Sequence, residues 1–241
     1  MFNFFINHNI YLDILTFIVT FDNECETNNC EFSLILVCLK VSNNWMKIPL
    51  KIRLKVIMEE IIKEISRNAI SPFQNIAENG VKNTKEFILN CEELEDFNFI
   101  DITLSEKYNG MFSELKNLSG PCLYYFEILS ENSSSEIVEK IREYSTTENS
   151  KSIPAIKKSI PESKILYVGK VKRHFWGRLI QHLGFYKVNR TQGLQLYYWT
   201  KELNLNLKLV VYEFEPEMIN LMEVLESDLA KHLKPILGKH K

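Results

Sequence analysis

Six residues in a fixed order could hydrolyse a phosphodiester. They are Tyr124 in the run CLYYF, Tyr167 and Lys170 in the run LYVGK, Arg178 and His182 four positions apart, and Glu226 late in the chain. The reaction needs an activated water, a cation on the scissile phosphate and a fixed positive side chain. Arg178 suits the last task, because its planar fork can give a phosphate two parallel hydrogen bonds. His182, at i+4 from Arg178, shares a helical face with it and can orient a water or donate to phosphate. Glu226 lies among Leu221, Met222, Leu225 and Leu229, and a carboxylate bordering an apolar stripe is costly unless paired or metal-bound. Magnesium, or manganese in its place, takes one or two carboxylates with waters and substrate phosphates, so one glutamate suffices. Glu223 is the competing candidate. Gly169 follows Tyr167 and leaves backbone open to a close approach by phosphate or metal. Lys170, Lys172 and Arg173 come next as phosphate contacts.

Each residue also has a plainer use. A tyrosine on a buried strand is commonly a core residue whose hydroxyl finds one partner. A basic helix is commonly a solvated face, and a histidine on it a hydrogen-bonded surface group. Against this, Trp176, Leu179, Ile180 and Leu183 supply the packing stripe of that helix and leave Arg178 and His182 at its edge.

The elements that must position these residues follow from local pattern. Residues 123–129 are rich in aromatic and β-forming side chains and read as a buried strand, with 165–169 the next strand. Residues 206–214 alternate, with Leu207, Leu209, Val211 and Glu213 on one face. Helices are expected at 174–183 and 191–203, and a final one opens at Pro216, runs through His232 and is closed by Pro235. Residues 130–163 shift to serines and charges with two prolines, which reads as a surface insertion holding one short helix at 135–144. Upstream, apolar residues recur at helical spacing over 48–66, giving an amphipathic helix with a core-packing face. Asn79-Gly80 marks a turn, 82–97 a mixed, mostly acidic helix, and 98–104 a strand.

The chain has 241 residues, 45% apolar and 25% charged, enough for one sizeable domain, or for one compact domain with an appendage. A net charge of −2 conceals an asymmetry. Residues 151–241 hold 16 of the 29 Lys+Arg but 8 of the 31 Asp+Glu, whereas the preceding residues hold 13 against 23. The basic end points to a polyanion partner, DNA above all. Cys25, Cys30, Cys38, Cys91 and Cys122 have neither framework spacing nor a histidine pair to complete a zinc pattern, so free thiols in a reducing, cytoplasmic setting are expected. Residues 2–21 and 32–41 are apolar but too broken to span a bilayer, and no membrane partner is expected. Two short buried strands, or a true start at Met46, account for residues 1–45.

In this order the residues resemble the GIY-YIG nuclease family. Cys122-Leu123-Tyr124 stands where the family has GIY, and Tyr167-Val168-Gly169 where it has YIG. Arg178 and His182 match the family's pair with its four-residue gap. Glu226, with Pro235 nine residues on, matches its metal-binding glutamate. The resemblance implies an α+β fold, a small three-stranded antiparallel sheet flanked by helices, over residues 116–241. Residues 46–115 form a mainly helical amino-terminal region. It also implies magnesium-dependent cleavage of DNA. Tyr167 or Tyr124 then helps activate water, Arg178 stabilises the phosphate, Glu226 holds the metal, Lys170 supports the phosphate and His182 the hydrogen-bond network. Cutting both strands with one active site would need two protomers, a dimer, or two binding events. The sequence departs from the family in Cys122 for the first glycine, in the insertion at 130–163 and in Gly238 where many members have asparagine. Two rival readings stand beside it, a DNA-binding module that kept the scaffold without turnover and a structural or interaction protein.

Overall fold

The computed structural model describes residues 38–41, 44–47, 50–148, 150–186 and 191–239, with side chains from residue 57 onward. Expectations placed on residues 2–21 lie outside the described residues. The chain divides into two units, Met1–Asn68 and Ala69–Lys241.

In the first unit, β1 (Cys38–Val41) and β2 (Asn44–Lys47) pair antiparallel, Cys38 opposite Lys47. Helix α1 (Leu50–Asn79) follows, contains the helix expected at 48–66 and runs on past it. Its apolar spacing does not produce a core face, since Ile57, Ile61, Ile62 and Ile65 are all exposed. Spacing makes a helix amphipathic, but only a facing layer buries the stripe. The helix crosses into the second unit, where Pro72 offers no N–H to the carbonyl of Asn68. It stops at Gly80, whose φ of +78° suits glycine and whose N–H reaches the Ile76 carbonyl at 2.9 Å.

The second unit is α+β and its sheet has four strands, not three. They are β3 (Asn83–Asn90), β4 (Cys122–Ile128), β5 (Ile165–Val171) and β6 (Asn206–Glu213), in the order β3-β6-β4-β5 with every neighbouring pair antiparallel. The added strand replaces the helix expected at 82–97. Phe87 and Leu89 turn to the core at a spacing of two, and all eight residues pair with β6, from Asn83 opposite Glu213 to Asn90 opposite Asn206. The second unit thereby takes in β3 and α2 (Asn109–Lys116), which lie within the region read from sequence as amino-terminal and helical.

One face of the sheet, with Tyr124, Phe126, Leu207, Leu209 and Val211, packs on α2, α3 (Ser134–Ser145), α4 (Phe175–Leu183) and α5 (Leu196–Trp199). Leu123 and Val168 point the other way and meet α6 (Met222–Leu233) through Met222 and Ala230. Helix α3 corrects the surface reading of 130–163, because Ile137, Val138 and Ile141 are buried in the main core. Residues 98–104 form no strand. Ile102–Leu104 is a single 3-10 turn, and the Asp101 side chain accepts the Thr103 N–H at 2.9 Å. The helix expected at 191–203 shrinks to α5 and a 3-10 turn, because Gln195 holds a left-handed φ of +57° just before it.

The chain after α6 is used as a cover. Lys234 leaves the helix with a φ of +50° and Pro235 cannot continue it. Ile236 and Leu237 then donate to the carbonyls of Ile165 and Leu166 at 2.9 and 3.0 Å along the outer edge of β5. The Gly238 N–H reaches the Ala155 carbonyl at 2.9 Å, so the β4–β5 connection is tied to the same edge. Among the described residues, no helix is long and apolar enough to cross a membrane.

Candidate active site

Register brings the two tyrosines together. In the β4–β5 pair Tyr124 lies opposite Gly169 and Phe126 opposite Tyr167, so both tyrosines stand on the same face as diagonal neighbours, ring centroids 6.2 Å apart. Gly169 does not open the backbone to a phosphate or metal as its place in the sequence suggested. A Cβ there would lie 2.6 Å from the Tyr124 hydroxyl and 2.6 Å from the Tyr167 ring, so the glycine makes room for the tyrosines.

Helix α4 crosses this face and adds Arg178 and His182. His182 is fully buried rather than free at the helix edge, with ring centroids of Tyr124, Phe126 and Tyr167 at 5.4, 5.3 and 5.3 Å. The Leu194 N–H points at its Nδ1 from 3.2 Å, and its Nε2 lies 2.8 Å from the Tyr124 hydroxyl. With Nδ1 accepting, the hydrogen-bond pattern assigns the ring proton to Nε2, which donates to Tyr124. Burial first, and the nearby Arg178 charge second, push the His182 pKa well below its ordinary value, in keeping with a neutral ring.

Arg178 is held on every side. Its Nε donates to the Tyr124 hydroxyl at 3.1 Å, and its Nη1 to Gln181 Oε1 and the Gln192 carbonyl, each at 2.7 Å. The guanidinium charge also acts on the Tyr167 hydroxyl, where it opposes the upward pull of burial on the pKa. Nε and Nη1 are thus engaged by acceptors of the protein itself. Much of the fork expected from sequence to grip a phosphate is therefore used to fix the guanidinium in place. Burial raises the pKa of both tyrosines, and the neighbouring Tyr167 raises that of Tyr124 further. Both therefore stay phenols near neutral pH and act through hydrogen bonds.

Lys170, opposite Leu123, turns to the other face of the sheet, where it forms an ion pair with Glu226 of α6. The Glu226 side chain is 15% exposed. The two faces meet at the outer edge of β5, in a cleft of about 230 Å³ lined by Tyr167, Glu226, Pro154, Ala155, Gln192 and the carboxy-terminal Gly238 and Lys239. Tyr124 is fully buried while Tyr167 keeps some exposure, so Tyr167 is the tyrosine that a ligand in the cleft would meet. Six of the expected residues are thus joined in two linked groups. Lys172 and Arg173 are not. They are exposed on the turn between β5 and α4, and among the described residues neither forms an ion pair. Glu223, the rival to Glu226, is exposed.

Three contributors escaped the sequence reading. Gln181, at i+3 from Arg178, carried a visible signal in its helical spacing. Gln192 and Leu194 act through backbone atoms, which no side-chain pattern reveals.

A single carboxylate that shares one oxygen with Lys170 suits a hard cation that keeps most of its waters. It does not suit a closed protein cage, and among the described residues no three His, Cys, Asp or Glu gather as one. Compared with protein-family models, curated proteins and solved structures, the chain matches none.

Proposed function

We propose that this chain is a magnesium- or manganese-dependent endonuclease of GIY-YIG type that hydrolyses DNA phosphodiester bonds. One arrangement supports the reading most. Arg178 is fixed by the Tyr124 hydroxyl beside Tyr167, Glu226 is paired with Lys170, and Tyr167 and Glu226 line one cleft. Binding a polyanion alone calls for no carboxylate at such a place, since it repels phosphate.

In this reading Arg178 offers its positive charge to a non-bridging phosphate oxygen, where charge grows in the transition state. Tyr124 and His182 do not touch the substrate. They are positioning residues that keep the guanidinium in one orientation. Tyr167, close enough to the guanidinium to feel its charge and open to the cleft, orients the attacking water by its hydroxyl. Lys170 brings a second positive charge to the phosphate. Glu226 would hold the metal ion, which when bound neutralises the phosphate and eases loss of a proton from water.

The test is nicking of supercoiled plasmid with magnesium, wild type against Glu226→Ala. Cleavage by the first alone is expected, with DNA binding kept by both. Full activity in the variant removes Glu226 from the metal site. Failure of the wild type on plasmid and on branched DNA, with either metal, overturns the enzyme reading.

A further inference from the structure

Away from the cleft, the three most exposed large apolar side chains among the described residues belong to one short segment between β3 and α2. Phe99 is 96% exposed, Leu104 75% and Ile100 66%. Monomeric surfaces seldom keep such a cluster unless something covers it.

The segment is held in place from both sides. Phe97 is buried edge-on against Tyr108 and Phe185, at 5.8 and 5.5 Å, and Ile102 is buried beyond it. Asp96 accepts the Asn98 N–H at 2.8 Å, and the Tyr198 hydroxyl donates to Asn98 Oδ1 at 3.0 Å. Asp101 caps the following turn, and Lys116 donates to the Thr103 hydroxyl at 3.1 Å. The apolar side chains are therefore presented on an ordered frame, and a partner pays little to order them.

Charge selects the partner. Residues 92–106 contain Glu92, Glu93, Glu95, Asp96, Asp101 and Glu106 and no lysine or arginine. All six are exposed, and among the described residues only Glu93 is in an ion pair, with Lys107. Such a rim repels a phosphate backbone or an anionic bilayer and attracts lysine and arginine. We propose that residues 92–106 form a docking surface for a basic amphipathic protein segment, its apolar face on Phe99, Ile100 and Leu104 and its cations on the surrounding carboxylates. This surface is independent of the nuclease reading.

The experiment titrates the full chain into a fluorescently labelled amphipathic helix of leucine and lysine, read by anisotropy at low and high salt. Saturable binding is expected, weaker at high salt. It should fall at least ~10-fold in Phe99→Ser/Ile100→Ser/Leu104→Ser and also in Glu92→Gln/Glu95→Gln, two exposed carboxylates outside the bonds that frame the segment. Equal binding by wild type and both variants overturns the proposal. So does loss of duplex-DNA affinity instead of peptide affinity in the apolar variant. A wild-type dimer that this variant dissociates makes a second copy the occupant, and that result also overturns it.

Discussion

The Tyr124 hydroxyl accepts two hydrogen bonds, one from His182 Nε2 at 2.8 Å and one from Arg178 Nε at 3.1 Å, so the histidine fixes the arginine through the tyrosine between them. The relay works only with a neutral imidazole carrying its proton on Nε2. A doubly protonated ring would lose its acceptance from Leu194 and set a second positive charge beside Arg178.

This requirement has a sign in pH. The folded pKa of His182 lies well below the ordinary 6.5, so on acidification the unfolded chain takes up a proton that the folded chain refuses. Its effect is absent above about 6.5 and costs stability as pH falls below that value, by up to ~1.4 kcal/mol per pH unit. Replacing it by glutamine should remove this part of the slope, measured as the difference in urea unfolding between about pH 7 and pH 5. Alanine instead should cost about 3 kcal/mol near neutral pH, from a cavity and two orphaned partners. A glutamine variant with the wild-type acid slope would count against the neutral buried ring.

Arg178→Ala should slow single-turnover nicking about 10²-fold or more, as loss of other transition-state charge stabilisers does. Arg178→Lys keeps the charge but not the fork that Tyr124, Gln181 and Gln192 hold, so it should recover less than about tenfold of that loss. Tyr124→Phe should lower the rate without changing DNA affinity, because the residue is fully buried. A Tyr124→Phe variant that loses affinity instead would place that hydroxyl on the substrate.

The residues of this site were legible from sequence because their chemistry is carried by side chains at short, regular spacings, Arg178 to His182 on one helix and Tyr167 to Lys170 on one strand. Their burial was not. The stripe Trp176, Leu179, Ile180 and Leu183 suggested an edge position for His182, but aromatic rings on β4 and β5 extend the packed layer over it. Strand β3 escaped for a similar reason. Its inward pair Phe87 and Leu89 is too short a signal beside the acidic run that follows, and only the partner β6 makes it a strand. Glu213 was visible as a charge on an apolar strand face, yet its partners at 83 and 119–120 are far away in the chain.

Gly169→Ala tests whether the glycine serves the tyrosines. The new methyl would stand 2.6 Å from Tyr124 Oη and 2.7 Å from its Cζ, inside contact distance of a ring with no free space to enter. Overpacking of this kind costs roughly 1–3 kcal/mol, and here it would also move Tyr124 from Arg178. Thermal unfolding should show the loss, together with a fall in nicking rate at unchanged DNA affinity. Wild-type stability and rate would mean that the strands separate freely at this point.

Glu213 supports the site from the far end of β6. Only 1% exposed, its carboxylate accepts from Asn83 Nδ2 at 2.5 Å, Ser119 N at 2.8 Å, Gly120 N at 2.7 Å and, more weakly, the Ser119 hydroxyl at 3.4 Å. These bonds tie the start of β3 and the entry to β4 together, and β4 delivers Tyr124. Burial alone would raise its pKa, but the donors on Asn83, Gly120 and Ser119 outweigh burial and hold it below the ordinary 4.5. Stability from this group is therefore present above about 4.5 and lost as pH falls through the folded value. Glu213→Ala strands the buried N–H donors and should cost about 3 kcal/mol near neutral pH. Glu213→Gln keeps the shape but turns one acceptor into a donor facing donors. It should cost somewhat less and flatten the acid side of the unfolding profile, measured by urea midpoints from neutral pH downward. Should both variants melt like the wild type, the carboxylate does not anchor β4, and the route from Glu213 to Tyr124 is broken.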